Sequence, residues 1–211
     1  MKVVAINGSP KVKGNTYQAL EAMAGVLAEQ GIETSILQVG KERVSGCVGC
    51  NTCAVRQDRQ CVFKDDIVNE SVELLAAADG IIIGSPVYYA GLNGSLKSFL
   101  DRVFYVCGAN RSLLRHKVGM AVAVARRDGG TPTVDQINKY FQITEMILPS
   151  GNYWTSVHGG APGEVLQDDE GMSTLRTAAA NMGWVMRLIE HGKQAVPAPA
   201  FEARPRTNFI R

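Results

Sequence analysis

The sequence predicts a single α/β domain in which helices cover both faces of a parallel β-sheet. Strand-like and helix-like segments alternate along the 211 residues, and the strand-like segments are short, continuous apolar runs. Runs of that kind are typical of parallel sheets that are buried on both faces. The chain length suits one sizeable domain, and 45% apolar with 20% charged residues is a globular composition.

The first three elements are predicted over residues 2–39. Residues 2–6 form an apolar strand that ends in an Asn-Gly-Ser-Pro turn. Residues 16–30 carry apolar side chains at helical spacing, and Gly31 ends that helix. Residues 33–39 are predicted as the second strand.

The next helix is predicted to start at Asp65 and Asp66, because two acids in a first turn suit the positive end of a helix dipole. Residues 80–84, with the sequence GIIIG, form a buried third strand, and Ser85-Pro86 is expected to break it. An apolar stripe at helical spacing then predicts another helix. Its members are Leu96, Phe99, Leu100 and Val103.

The second half of the chain continues the alternation. Residues 117–125 are predicted as the fourth strand. Thr131 is then expected to cap a helix whose first helical residue is Pro132, and that helix runs to about Met146.

The last predicted elements are a fifth strand over residues 153–157 and a long helix over residues 170–191. We therefore expect one folded domain over residues 1–195, with a cysteine-rich insertion at 45–64. Residues 196–211 contain three prolines and are expected to form a non-helical C-terminal tail.

Charge and hydropathy exclude several function classes. Lys plus Arg is 22 and Asp plus Glu is 20, so the net charge of +2 favours neither a nucleic-acid nor a membrane surface. The sequence has no apolar run long enough to span a bilayer. The N-terminus meets a turn at Asn7, too early for a signal peptide, so we expect a cytoplasmic protein. No G-x-S-x-G elbow is present, which argues against a hydrolase.

The loop after the first strand offers an anion site. Residues 8–16 join a strand to a helix N-terminus and contain glycines, lysines and hydroxylated residues. Five residues separate Gly8 from Gly14, whereas a P-loop has four, and no G-x-G-x-x-G is present. Gln38 stands where a dinucleotide-binding domain has an acid. A phosphate monoester therefore fits better than a pyrophosphate, and the alternative is an ordinary surface turn.

The loop after the third strand is rich in aromatic and small residues. Residues 84–94 include Pro86, Tyr88, Tyr89 and Gly91. Such a loop presents aromatic faces and backbone N–H groups to a flat heterocycle, or its tyrosines simply pack over the strand end.

Four of the five cysteines cluster with the spacing C-x2-C-x2-C-x7-C. Thiols grouped in a cytoplasmic-looking chain indicate a metal or redox site more often than a disulfide. Bacterial ferredoxins use C-x2-C-x2-C with a more distant fourth cysteine, whereas zinc sites usually pair two separated knuckles. The fifth, Cys107, is expected to be a packed apolar residue.

Two motifs together identify a family. Residues 7–16 read NGSPKVKGNT, and residues 84–91 read GSPVYYAG and are followed by LKSFLDR at 96–102. In these motifs the chain resembles the flavodoxin-like NADPH-dependent FMN reductase superfamily over about residues 1–192. The resemblance implies a flavodoxin-like three-layer sandwich with a five-stranded parallel sheet ordered 2-1-3-4-5.

The resemblance also implies that FMN binds non-covalently at three loops. The residues implied to hold its phosphate are Ser9, Lys11, Lys13, Gly14, Asn15 and Thr16. Those implied to line the isoalloxazine are Pro86, Val87, Tyr88, Tyr89 and Gly91. A third, glycine-bearing loop on the other side of the flavin is Arg126, Arg127, Asp128, Gly129 and Gly130.

Within that superfamily the cysteine segment is similar to the compact motif of the iron–sulfur flavoproteins. The resemblance implies that Cys47, Cys50, Cys53 and Cys61 hold a [4Fe–4S] cluster. Nearby cations are expected to offset its negative charge and raise its potential; they are Arg43, Arg56, Arg59 and Lys64. Two alternatives stay open, an unmetallated redox or structural thiol loop and a zinc site.

The implied activity is that of an FMN-dependent oxidoreductase. Electrons from NAD(P)H, or from a ferredoxin-like donor protein, pass to a small acceptor such as a quinone, flavin, metal or oxygen species. The alternatives are an electron carrier without its own substrate and a non-enzymatic interaction protein. Members of this superfamily are typically homodimers or homotetramers. Tyr153 and Trp154 then form either fifth-strand packing or an aromatic wall near a partner's flavin.

Overall fold

The computed structural model describes residues 1–202 together with residues 205, 207 and 209. Part of the expected tail over 196–211 therefore lies outside the described residues, and the domain division at residue 195 stays a prediction. Among the helices so described, none is both long and apolar enough to cross a bilayer.

The sheet confirms the predicted order. Five parallel strands lie in the order β2-β1-β3-β5-β6, which is 2-1-3-4-5 once the short β4 is left out. The strands of the sheet are β1 (Lys2–Asn7), β2 (Glu33–Gln38), β3 (Gly80–Tyr88), β4 (Gly91–Leu92), β5 (Val118–Ala125) and β6 (Ser156–His158). β4 pairs antiparallel with the end of β3. All eight residues of β5 are buried, as expected for a strand covered on both faces.

Helices cover both faces of the sheet. They are α1 (Asn15–Glu29), α2 (Thr52–Arg56), α3 (Val68–Ala77), α4 (Gly94–Ala109), α5 (Gly130–Ile143) and α6 (Asp169–Gly192), with a 3-10 helix at Glu164–Gln167. α3, α4 and α5 form one apolar core against the sheet, and α1 and α6 form the other. This division gives the three layers that the sequence predicts.

Strand β3 is longer than predicted, and Ser85-Pro86 does not break it. β1 pairs with β3 only as far as Gly84, whereas β5 stays paired through Pro86. Beyond Gly84 a proline removes no hydrogen bond to β1, so the strand continues. It runs to Tyr88 and then turns back into β4.

Three further boundaries were wrong. α3 begins at Val68 rather than at the two acids, and Asp66 Oδ1 accepts the Val68 N–H at 3.1 Å from outside the helix. α5 begins at Gly130, and its cap is Gly129, whose positive φ of 90° a threonine does not readily adopt. The fifth strand is displaced to Ser156–His158, and the five-residue helix α2 was not expected.

The two neighbouring leucines of α3 test the packing. Leu75 is fully buried and Leu74 is 42% exposed. Leu75→Ala is expected to lower the free energy of unfolding by about 2–5 kcal/mol, because it leaves a cavity in the core. Leu74→Ala, the same chemical change, is expected to cost about 0.5 kcal/mol. Urea unfolding followed by fluorescence measures both, and equal losses would contradict the assigned face.

Candidate functional site

The loops that follow β1, β3, β5 and β6 meet at one edge of the sheet. This follows from the parallel arrangement, which places the carboxyl ends of all the strands together. The first two loops are joined directly, since the Gly8 N–H donates to the Gly84 carbonyl at 2.8 Å. A Cβ at Gly8 would lie 2.5 Å from Leu96 Cδ2, so α4 packs against the same point.

A buried amide network shapes the loop after β1. Asn7 is fully buried, and its Nδ2 donates to Gln38 Oε1 at 2.7 Å. Asn7 Oδ1 accepts the Ser9 N–H at 3.0 Å, and Gln38 Nε2 donates to the Ser9 carbonyl at 2.6 Å. Gln38, at the position where dinucleotide-binding domains carry an acid, therefore holds the backbone of this loop instead.

The loop ends in an open helix N-terminus. Gly14 is the N-cap of α1 and supplies no capping side chain, so the first N–H groups of the helix stay available to a ligand. Lys11 and Lys13 are exposed beside it. In the described part of the chain no ion pair joins either lysine to an acid. Free N–H groups and unpaired cations together suit a phosphate monoester.

The side-chain amide of one predicted phosphate ligand, Asn15, contacts the loop after β6. Asn15 Nδ2 donates to the Ala161 carbonyl at 2.9 Å, and its Oδ1 accepts the Gly163 N–H at 2.8 Å. The methyl group of the buried Thr16 packs against Gly84, where a Cβ would lie 3.0 Å away. Asn15 can still offer its backbone N–H, while its amide ties α1 to the loop after β6.

The predicted isoalloxazine residues lie on a tight hairpin rather than in a loop. Tyr89 and Ala90 connect β3 to β4, with φ values of 49° and 57°. Positive φ at both central residues defines a type I′ turn, which normally favours Asn or Gly. Tyr88 is 47% exposed and Tyr89 is fully exposed. Both rings therefore face outward, which favours presentation to a ligand or partner over packing on the strand end.

The glycine-bearing third loop meets that hairpin. Gly129 has a φ of 90°, and a Cβ there would lie 2.7 Å from Ala90 Cα and 2.8 Å from Val87 Cγ1. Asp128 Oδ1 accepts the Gly129 N–H at 2.7 Å and helps to hold the turn. Together with the Gly8–Gly84 hydrogen bond, this contact brings all three loops predicted from the sequence to one edge of the sheet.

A fourth loop, over residues 159–163, was missed. Glu164 Oε2 accepts the Gly160 N–H at 2.7 Å and the Ala161 N–H at 2.8 Å, and these bonds lower the pKa of Glu164. A Cβ at Gly160 would lie 3.2 Å from Arg126 Cγ, so this loop adjoins the third. The sequence feature that indicates this loop is the run GGAPG, which contains three glycines and follows a strand.

A second candidate site is a pocket lined by all four clustered cysteines. Cys47 and Cys50 are exposed, Cys61 is partly buried, and Cys53 on α2 is buried. Burial raises the pKa of the Cys53 thiol, whereas hydrogen bonds from Thr52 lower that of Cys50. The chain curls there through residues with positive φ, which are Gly49, Asn51, Gln57 and Arg59.

Amide side chains of the helical layer anchor this segment. Asn69 Oδ1 on α3 accepts the Cys61 N–H at 2.6 Å, and its Nδ2 donates to the Phe63 carbonyl at 2.9 Å. Asn110 Oδ1 accepts the Arg59 N–H at 2.9 Å. The backbone around Cys61 is therefore fixed by groups outside the segment.

Arg102 on α4 lies beneath the pocket and is only 1% exposed. Its Nη1 donates to the Asp66 carboxylate and to the Ser45 carbonyl, the latter at 3.4 Å. Its Nε and Nη2 each donate to Cys61 Sγ at 3.4 Å, and Nη2 also donates to Asp66 Oδ1 at 3.2 Å. These contacts use all five guanidinium N–H groups. Burial lowers the pKa of Arg102, but its bonds to Asp66 and Cys61 raise it overall.

Arg102 was not predicted from the sequence, and three of the four predicted cations contact other side chains. Arg56 pairs with Asp58 at 2.9 Å, Arg59 pairs with Glu73 at 3.4 Å, and Lys64 donates to Gln60. The sequence did indicate Arg102 indirectly, because it lies three residues after Phe99 and therefore on the apolar face of the same helix.

The four sulfurs do not converge on a single point. Among the described residues, no three His, Cys, Asp or Glu side chains are placed to bind one metal ion. A zinc site needs all its sulfurs about 2.3 Å from one ion. In a cubane cluster each cysteine binds a different iron, so four thiols around one pocket suit that group better. Cys107 is fully buried, and burial raises its pKa to about 12, consistent with a packed apolar residue.

Known proteins resemble this chain over most of its length. Residues 1–161 match the model of the family described as NADPH-dependent FMN reductase. An iron–sulfur flavoprotein of Methanocaldococcus jannaschii is 39% identical over 202 residues, which cover 90% of this chain and 100% of that protein.

Two solved structures confirm the fold. RosB, solved with bound 8-demethyl-8-formylriboflavin-5'-phosphate, has a TM-score of 0.70 at 15% identity and covers 100% of this chain and 94% of its own. A flavodoxin from the domain Archaea has a TM-score of 0.57 at 13% identity and covers 89% of this chain and 99% of its own.

Two glycines with nearly the same φ test the loop contact. Gly163 has a φ of 91° and nothing near its Cβ position, whereas Gly129 would clash with the hairpin. Gly163→Ala is expected to cost about 1 kcal/mol from backbone strain alone. Gly129→Ala is expected to cost about 2 kcal/mol or more, because the hairpin must also move. Urea unfolding measures both, and an equal loss would show that the contact is unimportant.

Proposed function

The chain belongs to the NADPH-dependent FMN reductase family and is an FMN-dependent oxidoreductase, and we propose that it passes electrons from NAD(P)H or a protein donor to a small acceptor with the help of a [4Fe–4S] cluster. The observation that carries this proposal is the pocket lined by all four clustered cysteines, beside a buried arginine that donates to one of them. Quinones, free flavins, metal ions and oxygen species are the acceptor classes that we propose.

The open end of α1 supports phosphate binding. Its backbone N–H groups, the Ser9 hydroxyl and the unpaired Lys11 and Lys13 are proposed to hold the FMN phosphate. The β3–β4 hairpin and the loop containing Gly129 are proposed to line the ring system. Exposed Arg126 and Arg127 lie on that loop and offer positive charge to a reduced, anionic ring. FMN supplies both one-electron and two-electron chemistry when bound, and the protein supplies orientation and charge.

The cysteine pocket supports the cluster. Cys47, Cys50, Cys53 and Cys61 are proposed as its ligands, one for each iron. Such a cluster supplies one-electron transfer when bound. The lowered pKa of Cys50 favours the thiolate form that a ligand needs, and the amide bonds around Cys61 preorganise the loop.

One helix joins the two sites. Leu96 in the first turns of α4 packs under Gly8 of the phosphate loop, and Arg102 on the same helix contacts Cys61. Six helical residues rise about 9 Å along the axis. A single rigid helix therefore fixes the cysteine pocket relative to the phosphate loop, and this arrangement supports the proposed electron exchange between cluster and flavin.

A second candidate function is an electron carrier that has no small-molecule substrate. The same cysteine pocket supports it, because a cluster beside a flavin suits single-electron relay. The two candidates differ in one observable. A carrier does not oxidise NAD(P)H directly, whereas a reductase does so under anaerobic conditions.

Assembly into homodimers or homotetramers, together with a ferredoxin-like donor, stays a proposal. Exposed aromatic residues on the protomer support it. Tyr153 and Trp154 are 62% and 56% exposed and pack in a T-shaped, edge-to-face arrangement with ring centroids 4.5 Å apart. Paired exposed aromatics of this kind are enriched at protein interfaces, and light scattering of the holoprotein measures the assembly.

Anaerobic purification with iron and sulfide analysis tests the cluster. We expect about four iron and four sulfide per chain together with one flavin. Cys50→Ala is expected to lose most of the iron and keep the flavin, because the thiol belongs to the pocket only. Cys107→Ala, which removes a buried thiol outside the pocket, is the matched control and is expected to keep both. An iron-free wild-type protein with bound flavin would contradict the cluster and leave a thiol loop.

Removing the two lysine charges tests the phosphate site. The double variant Lys11→Met with Lys13→Met is expected to weaken FMN binding about tenfold or more, which is about 1.4 kcal/mol. Lys193→Met is the control, because Lys193 lies at the far end of the molecule beside Met1. Riboflavin, which lacks the phosphate, is the second control in fluorescence titrations. An equal loss of riboflavin binding would mean that the lysines support the fold rather than the phosphate.

A further inference from the structure

Arg102 is the described cation that contacts a cysteine of the pocket, and it comes from outside the cysteine segment. Its Nε and Nη2 both donate to Cys61 Sγ at 3.4 Å. Phe63 closes one side of the guanidinium, which lies 5.0 Å from the centroid of that ring. The charge is therefore shielded from water at the point where it meets the sulfur.

Asp66 holds the guanidinium in place. Its carboxylate accepts from both Nη atoms, and its side chain is 9% exposed against 1% for Arg102. The bidentate arrangement fixes the plane of the guanidinium and therefore the direction of the bonds to Cys61. Asp66 also brings a negative charge to the pocket, so Arg102 and Asp66 act on a nearby electron with opposite sign.

We propose that the Arg102–Asp66 pair sets the reduction potential of the [4Fe–4S] cluster, with Arg102 as the positioning residue that raises it and Asp66 as the counter-charge that limits the rise. This inference rests on the proposed cluster. Reduction adds one electron and one negative charge to the cluster, and no bond forms or breaks. A fixed positive charge and hydrogen bonds to a ligand sulfur stabilise the more negative state, which raises the potential.

The proposed role and a purely structural role predict different directions for the shift in reduction potential. Loss of Arg102 removes the positive charge, so the potential falls. Loss of the Asp66 charge leaves the cation less compensated, so the potential rises. If the pair only held the fold, loss of either residue would shift the reduction potential in the same direction.

The test is a redox titration of the anaerobic holoprotein with dithionite, monitored by electron paramagnetic resonance. Arg102→Gln is expected to shift the reduction equilibrium of the cluster about tenfold toward the oxidised form, which is about 59 mV for one electron. Asp66→Asn is expected to shift it in the opposite direction. The flavin potential, followed by absorbance in the same samples, is expected to stay unchanged in both.

Two further variants sharpen the result. Arg56→Gln removes an exposed cation of the cysteine segment that pairs with Asp58, and it is expected to leave the cluster potential unchanged. Arg102→Lys keeps the charge but loses the bidentate geometry. Its cluster potential is expected to lie between those of the wild type and Arg102→Gln. If Arg102→Gln does not fold, Asp66→Asn and Arg102→Lys still test the signs.

The outcomes separate this inference from the proposed function. Iron-loaded variants with an unchanged potential, or shifts in the same direction for Arg102→Gln and Asp66→Asn, would overturn the inference and leave the cluster in place. A wild-type protein without iron would overturn both. Opposite shifts in the expected directions, with Arg56→Gln unchanged, would support it.

Discussion

Arg102 is buried in α4, and a buried cation is stable only where its charge and its N–H groups are all satisfied. Here Asp66 supplies the counter-charge, while the Ser45 carbonyl and Cys61 Sγ take the remaining donors. These partners lie on both sides of the cysteines along the chain. One residue therefore closes the insertion over the helical layer. Removal of either member of a buried pair typically costs about 3–5 kcal/mol, so this segment is held firmly although Cys47 and Cys50 are exposed.

The parallel sheet decides where the rest of the chemistry takes place. Its strands point the same way, so the loops after β1, β3, β5 and β6 collect at one edge. Small residues let the loops touch, as Gly129 does against the hairpin and Gly8 does against α4. α4 then leads from that edge to the cysteine pocket. The proposed flavin site and the proposed cluster site thereby share one rigid element, which suits an enzyme that changes between two-electron and one-electron transfer.

Sequence patterns predicted the periodic elements well, because they depend on neighbours a few residues apart. They were less successful for polar side chains with distant partners. Asp66 was assigned to a helix start by local charge, but it pairs with an arginine 36 residues away. Asn15 stays a predicted phosphate ligand, but no local pattern indicated that its amide binds a loop 146 residues away. Pro86 was expected to end β3, but the strand continues through it. The pairing with β1 stops at Gly84, so Pro86 has no hydrogen bond to donate to β1.

The sequence by itself determined the fold class, the order of strands and helices, the family and the positions of the loop motifs. Each of these features depends on the spacing of nearby residues or on contiguous motifs. Only the tertiary structure decided which polar groups meet, that α4 contacts both the loop after β1 and the cysteine pocket, and that the cation at the cysteines is Arg102 rather than a residue of their own segment. The physical reason is that burial and hydrogen-bond partnership arise from packing between elements far apart in the chain, and no local pattern records the distance between them.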